Sequence, residues 1–403
     1  MQWLNHAIHR PALPVSHVGM SVSLGNRSLF PHLKPRVYAN HAAVSPPSSR
    51  VVAAANKVLL EYAETGLGAI FPWMEQRTHL KTLLGQLLHV APERLALSSS
   101  TNRALTDLAH CLPWRDGDRV LCFEGEFPAN VTPWQQAAPH YGATCALLPL
   151  DPDAQLLERL EIELRFGARY VAVSAVQFQT GRRMPLGQMA ALCHQHHAEL
   201  IVDGIQALGI VPLDLAKLGV DYLAGGGHKW LMGLEGCGFL YVAPGRTLVP
   251  RVAGWLSHQE PVGFLMEGAG HLRYDRPMRE SPDFLEIGST NAVGFAALQA
   301  GLEPILELGV ERIFEHVQAW NSALETGLLA RGFVSARDPE NPSGTLSVRL
   351  PEESILALAD GLKTAGISAS TPDGWLRFAP HWPNAQAEVK RVLESIDALR
   401  GAP

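Results

Sequence analysis

The chain has 403 residues, 47% of them hydrophobic and 18% charged, with a formal net charge of -6. That length and apolar content suit a large core in more than one domain and argue against extensive disorder. The acidic balance without a basic block excludes an electrostatic nucleic-acid partner, and no apolar run approaches the roughly 18 residues that span a bilayer.

In chain order, residues 1–45 read as an N-terminal arm packing on a small C-terminal domain. No basic segment followed by an apolar core marks a secretory leader there. From about residue 47 to 245, apolar runs of strand length alternate with segments of helical period. Strands are predicted at 94–98, 119–123, 144–148, 169–173, 199–203, 221–224 and 238–242. Helices are predicted at 101–111, 131–141, 152–166 and 185–197. Short apolar strands separated by helices predict a mostly parallel sheet covered on both faces, with the ligand site at the strands' carboxyl ends. Residues 246–282 are Gly-, Pro- and Arg-rich and read as irregular.

After residue 290 the character changes. Residues 291–308 and 310–331 read as long helices, broken at Gly309. A smaller α+β unit follows, with strands at 345–350 and 375–379 and helices at 352–365 and 385–400. The division expected is 1–45, 46–290 and 291–403. Five cysteines, Cys111, Cys122, Cys145, Cys193 and Cys237, lack CxxC spacing and read as free thiols of a reducing, cytoplasmic compartment, with no metal site.

The most specific stretch is Gly225-Gly226-Gly227-His228-Lys229-Trp230, one lysine behind three glycines. Upstream, the apolar run Leu200-Ile201-Val202 ends in Asp203. A strand-end carboxylate and a glycine-framed lysine are what pyridoxal 5'-phosphate (PLP) requires: the amine condenses with the aldehyde and the acid pairs with the ring nitrogen. Each residue alone has an ordinary reading, a surface lysine or a helix cap. The strand-to-helix run ending in Ser100 and Thr101 suits a phosphate dianion. Phe127, at a strand end beside Pro128, suits stacking on a flat ring. Gln206 could reach a phenolic oxygen, and Gln177, Phe178 and Gln179 border the same ring, with the one in contact left open. Arg377, on a short strand among aromatics, suits a carboxylate.

These motifs resemble the class V aminotransferase family of fold-type I PLP enzymes, from Tyr38-Ala39-Asn40-His41 to Arg377-Phe378-Ala379-Pro380-His381. The family includes aminotransferases, cysteine desulfurases, kynureninase and isopenicillin N epimerase-like proteins. The resemblance implies an α/β fold with a large, mostly parallel seven-stranded sheet domain and a smaller C-terminal α+β domain. It implies Lys229 as the Schiff-base lysine, Asp203 as the pyridinium partner and Gln206 as the phenolic-oxygen contact. Phe127 takes the stacking position, and Ser100, Thr101 and His228 the phosphate turn, where Gly226 replaces a frequent serine. Ser289 matches a residue that reaches the phosphate from a second subunit, implying a homodimer with shared sites. Arg377, with Asn40 and His41, matches the substrate side, the arginine taking the α-carboxylate.

The expectation is an enzyme acting on the α-amino group of an amino acid, with transamination first and a kynureninase- or epimerase-type lyase or epimerase as alternative. A non-catalytic PLP-binding protein is the more distant alternative. Because 360–375 holds no cysteine, cysteine desulfuration is expected to be unlikely.

Overall fold

The computed structural model describes residues 22–351 and 354–401. Strand β1 (Val37–Tyr38) precedes two helices, α1 (Ser49–Thr65) and α2 (Ile70–Leu88). The alternating region then runs β2 (Leu95–Ser98), α3 (Thr101–Cys111), β3 (Arg119–Phe123), α4 (Thr132–His140), β4 (Thr144–Leu148) and α5 (Asp153–Arg165). It continues through β5 (Tyr170–Ser174), α6 (Leu186–Gln195), β6 (Glu199–Asp203), the one-turn α7 (Leu215–Leu218), β7 (Tyr222–Gly226) and β8 (Gly238–Val242). Each strand lies within a residue or two of its predicted place. Helices α1 and α2 were not among the predicted elements.

The seven strands form one sheet in the order β2-β8-β7-β6-β5-β3-β4. Five neighbouring strands are parallel, as expected, but β8 runs antiparallel to both β7 and β2. The reason is the connection. Only residues 227–237 separate β7 from β8, too few for the crossover that a parallel partner requires. That short return carries the lysine. Strands β5 to β8 are almost wholly buried, which explains their unbroken apolar runs.

Beyond the irregular region, which holds the one-turn α8 (Gly263–Met266), come α9 (Ala292–Leu308) and α10 (Val310–Leu329). The chain ends with β9 (Val334–Ser335), β10 (Leu346–Arg349), α11 (Leu356–Thr364), β11 (Ile367–Ser368), β12 (Leu376–Phe378) and α12 (Glu388–Arg400). Strands β12, β10 and β9 form an antiparallel sheet. It shares an apolar core with Trp320 and Leu324 of α10, Leu362 of α11 and Val392 of α12. Strand β1 pairs in parallel with β11, and the next turn continues to an Asn40–Ala379 bridge, so the arm and the C-terminal strands meet beside the lysine loop. Among the described residues, no single helix is long and apolar enough to cross a membrane. All five cysteines are free thiols.

Helix α9 packs directly on the lysine loop. A Cβ added to Gly301 would sit 2.6 Å from the Leu231 carbonyl oxygen and 2.8 Å from Met232. Only glycine permits that approach, because packed interiors yield little. Gly301→Ala is expected to destabilise the protein by about 1–3 kcal/mol. Thermal unfolding checks this, and an unchanged melting temperature would count against the close approach.

Candidate active site

The lysine loop is held by its backbone. Ser45 N–H donates to the His228 carbonyl at 2.8 Å, and Ser45 Oγ donates to the Lys229 carbonyl at 2.6 Å. His381 donates through Nε2 to the next carbonyl, that of Trp230, at 2.9 Å, while its Nδ1 accepts from Trp382 N–H at 2.7 Å. Since the Ser45 hydroxyl proton is committed, His41 Nδ1 must donate to Ser45 Oγ, at 2.7 Å. Three successive carbonyls are thus taken by donors from the two ends of the chain.

His41, expected on the substrate side, is therefore placed behind the loop, buried and turned to Ser45. Burial, then the neighbouring His381, holds its pKa well below the ordinary value. Asn40 bridges to Ala379, and its Oδ1 is buried without a hydrogen-bond partner among the described residues.

In front of the loop, Lys229 Nζ lies 5.7 Å from the centre of the Phe127 ring. Burial lowers the amine to about 8, assisted by Arg377 and opposed by Asp203. Asp203 ends β6, is 2% exposed and accepts from Ile205 N–H at 2.9 Å. Burial raises its carboxyl to about 6, against the pull of Ile205 N–H and Lys229. Phe127 is 47% exposed and meets Phe178 edge to face, with centroids 5.2 Å apart. An exposed ring beside a lysine is not a core residue. It has a face to offer.

Gln206 lies between two elements: its Oε1 accepts from Trp230 Nε1 at 2.9 Å, and its Nε2 donates to the Ala42 carbonyl at 3.1 Å. One amide hydrogen remains. Gln177 is used by its own turn, donating to the Gly125 carbonyl at 2.8 Å and accepting from Gln179 N, Thr180 N and Thr180 Oγ1. The structure places it under the loop that shapes the site.

Ser100 caps α3, accepting from Arg103 N–H at 3.0 Å, and Thr101 Oγ1 beside it is buried with no partner among the described residues. A Cβ on Gly226 would come within 2.7 Å of that hydroxyl. The glycine that departs from the family serine makes room for Thr101. His228 is half-buried, its pKa lowered by burial and then by Lys229. Ser289 is exposed and lines a groove of about 280 Å³ with Ser98, Ser99 and Arg103, apart from Lys229 within one chain.

Arg377 is 5% exposed. Nη1 donates to the Phe178 carbonyl at 2.6 Å and Nε to Ser370 Oγ at 3.1 Å. Among the described residues no carboxylate pairs with it, and burial lowers it to about 10. A buried guanidinium with free donors is a receptor for an anion.

Two contributors escaped the sequence reading. Glu126 accepts from Ser174 N–H at 2.7 Å, from Ser174 Oγ, and from Asn130 Nδ2 at 3.1 Å, so it ties the Phe127 turn to the strand beside Asp203. Burial raises it to about 7, and Asp203 adds to the rise. An acid next to the stacking residue was a visible signal. Ser45 gave none, because a serine before Pro46-Pro47 reads as a turn.

An amine, a facing carboxylate, an available aromatic face and an unpartnered buried hydroxyl at a helix start fit PLP. Comparison with known proteins agrees. The class-V aminotransferase family profile matches residues 37–375. A cysteine desulfurase of Escherichia coli K12 is 30% identical over 258 residues, 64% of this chain and 62% of that protein, so the match spans under two thirds of the relative's length. A structure of a C-DES mutant with glycine covalently linked to its PLP cofactor superposes with a TM-score of 0.83 at 22% identity, covering 92% of this chain and 98% of that one. A complex of C-DES, described as a cystine C–S lyase, with its product cysteine persulfide gives 0.80 at 22% identity, covering 89% and 96%. These relatives overturn two expectations, that the enzyme is an aminotransferase and that desulfuration is unlikely. The missing cysteine at 360–375 was too narrow a criterion, since it concerns where sulfur goes and not whether the carbon–sulfur bond breaks.

The buried histidines predict a pH response. The folded-state pKa of His381 is lowered to about 4 by burial. Its contribution is present in full above the unfolded value near 6.5 and is lost as pH falls from there towards 4, roughly 3 kcal/mol at most. Chemical unfolding at pH 7 and pH 4.5 should show this loss, and His381→Asn should lessen it. An equal loss in the variant would contradict the assignment.

Proposed function

Because this chain belongs to the class-V aminotransferase family, whose cofactor here is pyridoxal 5'-phosphate, we propose that it is a lyase that breaks the Cβ–S bond of a cysteine-type amino acid. The observation that carries the reading is a lysine lowered to about 8 beside a buried arginine that has no acidic partner among the described residues, in a chain whose relatives cleave such bonds. With L-cysteine and water the products are pyruvate, ammonia and hydrogen sulfide. With L-cystine, cysteine persulfide replaces the sulfide.

In this reading Lys229 holds the cofactor, Asp203 faces its ring nitrogen, Gln206 reaches its phenolic oxygen and Phe127 covers its face. Ser100, Thr101 and His228 take its phosphate. When bound, PLP withdraws electrons from the substrate Cα. Arg377 fixes the substrate by its α-carboxylate, using the guanidinium donors that the protein leaves free. Lys229, partly neutral near pH 7.5, accepts the Cα proton and stays close enough to return one. Glu126 positions Phe127 through the Ser174 and Asn130 contacts. Asn40 borders the substrate side, and Gln177 shapes it from below. The reading includes a homodimer in which Ser289 reaches the second subunit's phosphate turn, a chain divided at residues 45 and 290, and a cytoplasmic setting.

The test is product analysis with the purified holoenzyme. L-cysteine or L-cystine should yield pyruvate with equimolar sulfide or persulfide. Arg377→Ala should raise KM about 10- to 100-fold, the range for a lost charged hydrogen-bonded pair. Stoichiometric pyridoxamine phosphate without pyruvate would contradict the proposal.

A further inference from the structure

The loop 177–180 bonds to two opposite charges. Phe178 presents its carbonyl to Arg377 Nη1 at 2.6 Å, and the next residue, Gln179, donates from Nε2 to Asp373 Oδ2 at 3.1 Å. Gln179 is itself fixed, because its carbonyl accepts from Ser347 Oγ at 2.6 Å. Asp373 sits in the turn Pro372–Gly374 with φ 49° and ψ 45°, a left-handed conformation that aspartate tolerates better than most residues. The turn brings its carboxylate back over the loop. Asp373 is exposed and, among the described residues, has no cationic partner; the guanidinium of Arg349 lies over the Trp375 ring at 4.9 Å.

Phe178 and Gln179 are consecutive, with Cα atoms about 3.8 Å apart, so one peptide unit and one glutamine side chain link the guanidinium to the carboxylate, a span of at most about 13 Å. The edge-to-face pair Phe127–Phe178 adjoins the same loop, giving an apolar wall suited to sulfur, which makes favourable contacts with aromatic edges. A buried cation, an aromatic pair and an exposed anion thus border the same loop.

We propose that the site takes a two-ended substrate, an α-amino acid whose side chain ends in an ammonium group, with Asp373 as the specificity residue that reads the far end. The sulfur in that side chain rests on the lyase reading. The two charged ends do not. The reaction balances as S-(2-aminoethylthio)-L-cysteine plus water giving pyruvate, ammonia and aminoethyl persulfide: the Cβ–S bond breaks, sulfur leaves with the electron pair and gains a proton.

The experiment has a binding arm and a turnover arm. L-lysine and L-norleucine have nearly the same shape and differ in the distal ammonium, and neither has a β-leaving group. Calorimetry with the holoenzyme should show L-lysine binding about fivefold tighter, the upper end for an exposed ion pair. Asp373→Asn should collapse that ratio and Asp373→Glu should retain it. Equal affinity in the native protein, which needs no variant to fold, overturns the proposal, as does a ratio unchanged in Asp373→Asn. In the second arm, S-(2-aminoethylthio)-L-cysteine should exceed S-methylthio-L-cysteine in kcat/KM by a similar ratio. If both turn over equally, the specificity proposal fails and the lyase reading stands. If neither turns over but the lysine preference holds, the lyase reading fails and the two-ended site stands.

Discussion

The backbone of residues 228–230 is the part of the molecule on which the others depend. A loop of eleven residues between two antiparallel strands cannot fix a lysine by itself, particularly when glycines precede it. Ser45 and His381 supply the fixation from outside, one from the arm after β1 and one from just beyond β12. The same segments carry the β1–β11 pairing and Arg377. The distance between the lysine amine and the Arg377 guanidinium is therefore set by hydrogen bonds to carbonyls, and not by the loop's own conformation. Neutral imidazoles suit that task, since a buried imidazolium beside a second histidine would be costly.

The site concentrates charge that the protein does not neutralise. Lys229, Asp203, Glu126 and Arg377 are all shifted chiefly by burial. Such shifts cluster where ligands complete the electrostatics. An acid facing a ring nitrogen and a guanidinium facing a carboxylate would each gain its partner on binding. The orphan hydroxyl of Thr101 belongs to the same pattern, and Gly226 preserves the space around it.

The strands of the large sheet, the helix breaks at Gly309 and the pair Asp203–Lys229 were legible in the sequence because each rests on local chemistry: apolar runs, a left-handed glycine, a strand-end acid. What was not legible depends on distant partners. Nothing around Ser45 announces that it binds a carbonyl 184 residues away. The reversal of β8 follows from a connection length and not from any residue in the strand. His41 read as a substrate contact from the family pattern, yet its ring nitrogen was needed behind the loop. The reaction class lay furthest from local signals, since transamination and C–S cleavage share the same lysine, acid and arginine. There the absence of a cysteine from one segment was a poor guide and the relatives a better one.

The central claim is that Lys229 carries the cofactor. Borohydride reduction of the holoenzyme, followed by proteolysis and mass spectrometry, should find the pyridoxyl mass on the peptide containing Gly225-Gly226-Gly227-His228-Lys229. Its appearance on another lysine, or on none, would contradict the account.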